Sequence, residues 1–170
     1  MQRWIAVLAL PLVLVATSAF AQDIKTLATG KTWSAYTVPE KGGLTCYLVG
    51  KPASSEPASL PRSQVDAMVS HRVSEKAYNV VTFNLGYAAK KDAKAGLVID
   101  GRKYALFVDN DAAWTASAAA DKAVTEALAH GKSAVLKATS ARGTATTDTY
   151  DLAGFGQALK AIDTACKVKR

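Results

Sequence analysis

Residues 97–108 read Leu-Val-Ile-Asp-Gly-Arg-Lys-Tyr-Ala-Leu-Phe-Val. Two apolar-rich runs, 97–99 and 103–108, flank Asp100-Gly101. That dipeptide suits a turn in which both central residues take positive φ, the type I′ geometry that joins antiparallel strands. The stretch predicts a β-hairpin, and its neighbours extend the pattern in both directions. Upstream, Val81, Phe83, Leu85 and Tyr87 alternate with Val80, Thr82, Asn84 and Gly86, the period of a half-buried strand. Residues 65–73 read as a strand, as do 44–49, where Leu44, Cys46 and Leu48 share a face. Residues 33–38 form a further candidate strand, stopped by the turn-rich 39–43. Between them Pro52, Pro57 and Pro61 make 51–62 a loop or extended crossover. Downstream, Asp109-Asn110-Asp111 turns the chain into a short strand around Trp114, and 134–139 and 144–149 are strand-prone.

Two helices interrupt the strands. Val124, Ala127 and Leu128 recur at helical spacing in 121–130, with Gly131 placed to stop the helix. Leu152, Phe155, Leu159, Ile162 and Cys166 fall within an arc of about 80° on a helix. Asp148 or Asp151 is placed to cap its start. The expected architecture is a mainly β, antiparallel sandwich with a C-terminal helix, and a small closed barrel is the alternative.

The N-terminus reads as an export signal. Arg3 precedes an apolar run, 4–15, and Ala19-Phe20-Ala21 supplies a small-x-small cleavage pattern. Twelve residues broken by Pro11 fall short of the ~20 that span a bilayer. The reading is a signal peptide at 1–21, a flexible segment at 22–32, and one domain at 33–170, with no transmembrane segment after cleavage. Export places the chain in the periplasm, with outer-membrane association or secretion as further destinations. In an oxidising compartment the two cysteines, Cys46 and Cys166, are expected to form a disulfide. A metal pair is disfavoured because no histidine stands nearby, and zinc recruits four close ligands.

Cleavage leaves 20 Lys and Arg against 14 Asp and Glu, a mature charge of +6. That balance suits an anionic lipid or lipopolysaccharide surface, and export argues against nucleic acid as partner. The clustered charge lies at Lys90-Lys91 and in the tail, Lys167, Lys169 and Arg170, and Arg142 stands in an Arg-Gly-Thr turn suited to an anion. Arg142 and the three tail residues are the candidate binding surface.

Catalytic signatures are weak. There is no Gly-x-Ser-x-Gly elbow, and only His71 and His130 could serve as bases. Gly131-Lys132-Ser133 imitates the end of a phosphate loop, but Glu126 occupies the required earlier glycine position. Asp109-Asn110-Asp111 lacks the Gly and Glu of a calcium loop. No cofactor, metal or catalytic residue is expected. The aromatics Trp33, Tyr36, Tyr47, Tyr78, Tyr87, Tyr104 and Trp114 suit a core, or a surface that stacks on sugars or binds protein.

An ordered set of landmarks carries a resemblance. They are Trp33, Cys46-Tyr47 followed by Pro52, Phe83 with Gly86-Tyr87, Trp114, Gly131, Arg142-Gly143-Thr144, Tyr150, Gly154-Phe155, Ala158-Leu159 and Cys166. In these the chain resembles the invasion-associated locus B family of exported bacterial proteins. It departs at Gly50-Lys51, where Ser-Pro is the family habit, and at Ala88, where proline is common. The resemblance implies an immunoglobulin-like sandwich in the periplasm or at the cell surface, and the family's name implies host-cell association. It brings no catalytic residues. The function expected is a non-enzymatic envelope or surface interaction module whose partner is an envelope component or another protein. The alternative is an exported hydrolase with a carboxylate and arginine site.

Overall fold

Asp100 and Gly101 take φ of 44° and 84°, both positive as a type I′ turn requires. Around them Ile99 pairs with Arg102 and Lys94 with Phe107. This hairpin belongs to a computed structural model that describes residues 23–90 and 92–170. The signal peptide read at 1–21 lies outside the described residues. In chain order the strands are β1 (Lys25–Thr29), β2 (Trp33–Glu40), β3 (Gly43–Gly50), β4 (Ser54–Glu56), β5 (Asp66–Arg72) and β6 (Ala77–Asn84). They continue with β7 (Lys94–Ile99), β8 (Arg102–Asp109), β9 (Ala112–Trp114), β10 (Ser133–Thr139) and β11 (Ala145–Asp151). The helices are α1 (Ala118–His130) and α2 (Phe155–Cys166).

All 11 strands join one antiparallel sheet in the order β1-β2-β3-β5-β6-β9-β8-β7-β10-β11-β4. The expected mainly β fold, with its C-terminal helix tied by a disulfide, is the fold observed. Hydrogen bonding is continuous through a single sheet, which stays open with β1 and β4 as edges, so the barrel alternative does not form. The halves nevertheless face one another as in a sandwich. Trp33 of β2 lies 6.3 Å from Tyr150 of β11, and Phe83 of β6 lies 5.7 Å from the same ring. The short β9 is the only strand joining β6 to β8, so the sheet can fold over there. Where β9 stops, α1 takes over the vacant edge of β6: Asp121 accepts from the Val81 amide, and Thr125 donates to the Asn79 carbonyl.

Four details depart from the sequence reading. Within the segment read as flexible, Lys25–Thr29 form β1, because pairing with β2 needs only a free backbone edge, and Leu27 and Ala28 reach the core. Leu44, expected inside with Cys46, sits exposed where β3 begins. Residues 54–56, within the stretch read as a loop or extended crossover, pair with β11 as a short strand. Neither proposed aspartate caps α2: its cap is Gly154 at φ 87°, Asp151 accepts from the Ala153 amide, and Asp148 is buried in the sheet. The spacing of the apolar positions is right all the same. Phe155, Leu159, Ile162 and Cys166 all face the core, and Phe155 meets Trp33 edge-on at 4.9 Å.

Gly50 is a requirement of that packing. It pairs with Trp33 across β2 and β3, and a Cβ there would lie 2.5 Å from the indole ring. The indole Nε1–H donates to the Asp151 carbonyl at 2.8 Å, fixing the point where β11 leaves for α2.

Candidate functional site: the stapled C-terminal tail and its basic cleft

The tail is positioned by an irregularity in β5. The register against β6 shifts between Ser70 and Arg72, which leaves His71 without a partner on that strand, while on β3 it pairs with Cys46 and its ring is buried. Asn79 stands opposite with φ of 60°, a left-handed conformation that asparagine tolerates better than most residues. Its amide donates to His71 Nδ1 at 3.0 Å. A backbone N–H can only donate, so Nδ1 accepts and the ring proton resides on Nε2. Nε2 in turn donates to Asp163 Oδ1 on α2, at 2.8 Å.

Asp163 also receives the tail. Arg170 bridges it through Nε to Oδ2 at 2.5 Å and Nη2 to Oδ1 at 3.0 Å, and reaches Asn79 Oδ1 at 2.7 Å. Burial alone would push the Asp163 carboxyl up. The hydrogen bonds from His71 and Arg170, together with Arg170's charge, outweigh that and hold it below the usual carboxylate value. Beneath this network lies the disulfide. Cys46 faces His71 across β3 and β5, and its sulfur bonds that of Cys166 at the last turn of α2, with a Cα separation of 6.1 Å.

These ties arrange the sequence candidates unequally. Lys167 and Lys169 are exposed, and with Arg170, Tyr78, Asn79 and Lys122 they line a cleft of about 410 Å³ between β6, α1 and the tail. Arg170 lines it too, but its guanidinium is committed to Asp163 and Asn79. Arg142 is exposed on the turn between β10 and β11 and does not line this cleft. Lys122, on the polar face of α1, was missed in the sequence, whereas Tyr78, 37% exposed, is one of the aromatics named there as suited to a core or a binding surface. Lys122 stands 3.9 Å from Glu126 in an exposed i,i+4 pair, a weak interaction that leaves the ammonium accessible.

A carboxylate and arginine cluster does exist elsewhere. Arg62 grips Asp148 with both Nη atoms, and their side chains are 7% and 1% exposed. Its Nε donates to the Leu85 carbonyl, and Tyr87 lies beneath the guanidinium at 5.1 Å. This pair is nearly closed to solvent, and the hydrogen bonds it makes all lie within the fold. His130, the other histidine, hydrogen-bonds the Glu126 carbonyl of its own helix. Among the described residues no group of three or more His, Cys, Asp or Glu is placed to hold a metal ion. Among the same residues, no helix is long and apolar enough to cross a membrane.

Fold and site together define an antiparallel β protein whose last helix is bonded covalently to the sheet and ends in a basic cleft. The chain belongs to the invasion associated locus B family, whose model matches residues 33–163. No curated protein and no solved structure matches it significantly.

Proposed function

We propose that the chain is a non-enzymatic interaction module of the bacterial envelope that engages anionic lipid or lipopolysaccharide through the tail cleft. The observation that carries this reading is the convergence of Lys122, Lys167 and Lys169 beside Tyr78 in one cleft. Basic side chains at a lipid surface each contribute about 1 kcal/mol, and an amphipathic aromatic at the rim suits the headgroup region. An extracytoplasmic location, in the periplasm or at the outer membrane, is supported by the disulfide and by the family. Binding without turnover agrees with the closed state of the Arg62 and Asp148 pair.

The test is co-flotation with vesicles of anionic phospholipid, of lipopolysaccharide, and of neutral phosphatidylcholine. Binding should favour the anionic vesicles and weaken as salt rises. Replacing Lys122, Lys167 and Lys169 together by Gln should weaken it by about two orders of magnitude. Deleting the tail would be a poorer test, because loss of Arg170 also leaves Asp163 underpaired. Equal binding to neutral vesicles, or an unaffected triple variant, would overturn the reading.

A further inference from the structure

A second cleft, of about 560 Å³, opens where β2, β3 and β5 meet the end of β11. Its size falls within the range of small-molecule sites. Its chemistry differs from that of the tail cleft: Lys31 and Lys51 are balanced by Asp66 and Asp151, so it selects neither a net anion nor a net cation. On one wall stands Tyr36, half-buried, whose ring stacks on its cross-strand partner Tyr47 at 5.3 Å and 28°. Stacking restricts the ring before any ligand arrives, which lowers the ordering cost of binding.

Asp66 and Gln64 stand on another wall. Asp66 is 2% exposed, and among the described residues its carboxylate forms no ion pair. It is held instead by two side-chain amides, Gln64 Nε2 on Oδ2 at 2.6 Å and Asn84 Nδ2 on Oδ1 at 2.7 Å. Those bonds fix the carboxylate plane and use two of its roughly four acceptor positions. Asp66 and Gln64 line the same cleft as Tyr36, so acceptors and an aromatic ring border one space.

We propose that this cleft binds a short saccharide, with its C–H face on Tyr36 and vicinal hydroxyls donating to Asp66 and Gln64. A sugar ring presents these two features together, an apolar face and adjacent O–H donors. The pre-set plane of Asp66 rewards donors on neighbouring carbons, and the balanced charge of the walls suits a neutral ring. The site is independent of the tail cleft and of the lipid reading.

The experiment is an amide-shift NMR titration of the 22–170 chain with N,N′-diacetylchitobiose, an amino-sugar disaccharide, and with maltose, a neutral one. At least one should give saturable shifts at Ser34, Tyr36, Gln64 and Asp66. Binding of chitobiose alone assigns an amino-sugar glycan, and binding of both assigns recognition of the ring and hydroxyls in general. Tyr36→Ala should weaken binding about tenfold or more, and Tyr36→Phe should retain it. A thermal melt confirms that each variant folds. Asp66→Asn should weaken binding in a chain that still melts cooperatively, and Lys167→Gln with Lys169→Gln should leave saccharide binding unchanged. No saturable shift with either sugar up to about 10 mM, or shifts that survive Tyr36→Ala, would overturn the proposal.

Discussion

Arg62 and Asp148, 86 residues apart, meet in two parallel hydrogen bonds of 2.6 and 2.7 Å. One residue ends the proline-rich crossover from β3 to β5, and the other lies at an inward position of β11. The pair therefore fastens this proline-rich connection to the opposite half of the sheet. Ser55 adds a third hydrogen bond to the same carboxylate, at 2.7 Å.

Removing one member should be much worse than removing both. Arg62→Met leaves Asp148 buried and unpaired, and should cost about 3–5 kcal/mol in urea unfolding. The double variant Arg62→Met, Asp148→Leu should recover most of that loss. Equal losses for single and double variants would show that the pair contributes through shape alone.

Acid should loosen the tail through Asp163. Its carboxyl is held below the usual value in the fold, so folding favours the charged form. That contribution is complete above the unfolded value of about 3.9 and disappears as pH falls through the lower folded value. Melting temperature followed from neutral pH to about pH 2 should fall more steeply in this chain than in Asp163→Asn. Asp163→Asn should already be less stable at neutral pH, and parallel curves would count against the assignment.

The disulfide should be visible as a single cross-linked peptide in non-reducing mapping. Cys46→Ser should lower stability by about 2–5 kcal/mol, the usual loss when a native disulfide is removed. Free thiols in protein recovered from the envelope fraction would contradict it.

Adding one methyl group at Gly50 should drive the Trp33 indole from its place. Gly50→Ala should cost about 1–3 kcal/mol through overpacking, with a matching change in tryptophan fluorescence. Gly96→Ala is the control, because a Cβ at that position meets nothing within 4 Å.

The sequence made the local features legible and left the long-range ones hidden. The hairpin at Asp100-Gly101 was readable because both of its requirements sit in two adjacent residues. Cys46 and Cys166 could be placed on apolar faces by periodicity, and being the only cysteines they had no other partner. Asp148 was misplaced as a helix cap because acid before a helix is the common local meaning. Its alternation with Thr146 and Tyr150, all three inward, was the available signal. Arg170 looked like free charge because its partners, Asp163 and Asn79, meet only after α2 has docked. β1 and β4 are edge strands that take their order from the strands beside them, so their own residues carry little pattern. The two clefts gather residues from three or more elements, and no window along the chain contains either.

The bond between Cys46 and Cys166 spans 120 residues and turns most of the protein into a covalent ring. β1, β2 and the start of β3 lie outside it on one side, and Lys167 to Arg170 on the other. A protease that cuts once inside the ring, for example in the exposed stretch between β4 and β5, opens the loop without freeing a fragment. The two pieces stay joined at the sulfurs and remain paired within the same sheet. Damage of that kind would pass unseen by size under non-reducing conditions, and the nicked protein could keep its shape until a reductant reached it.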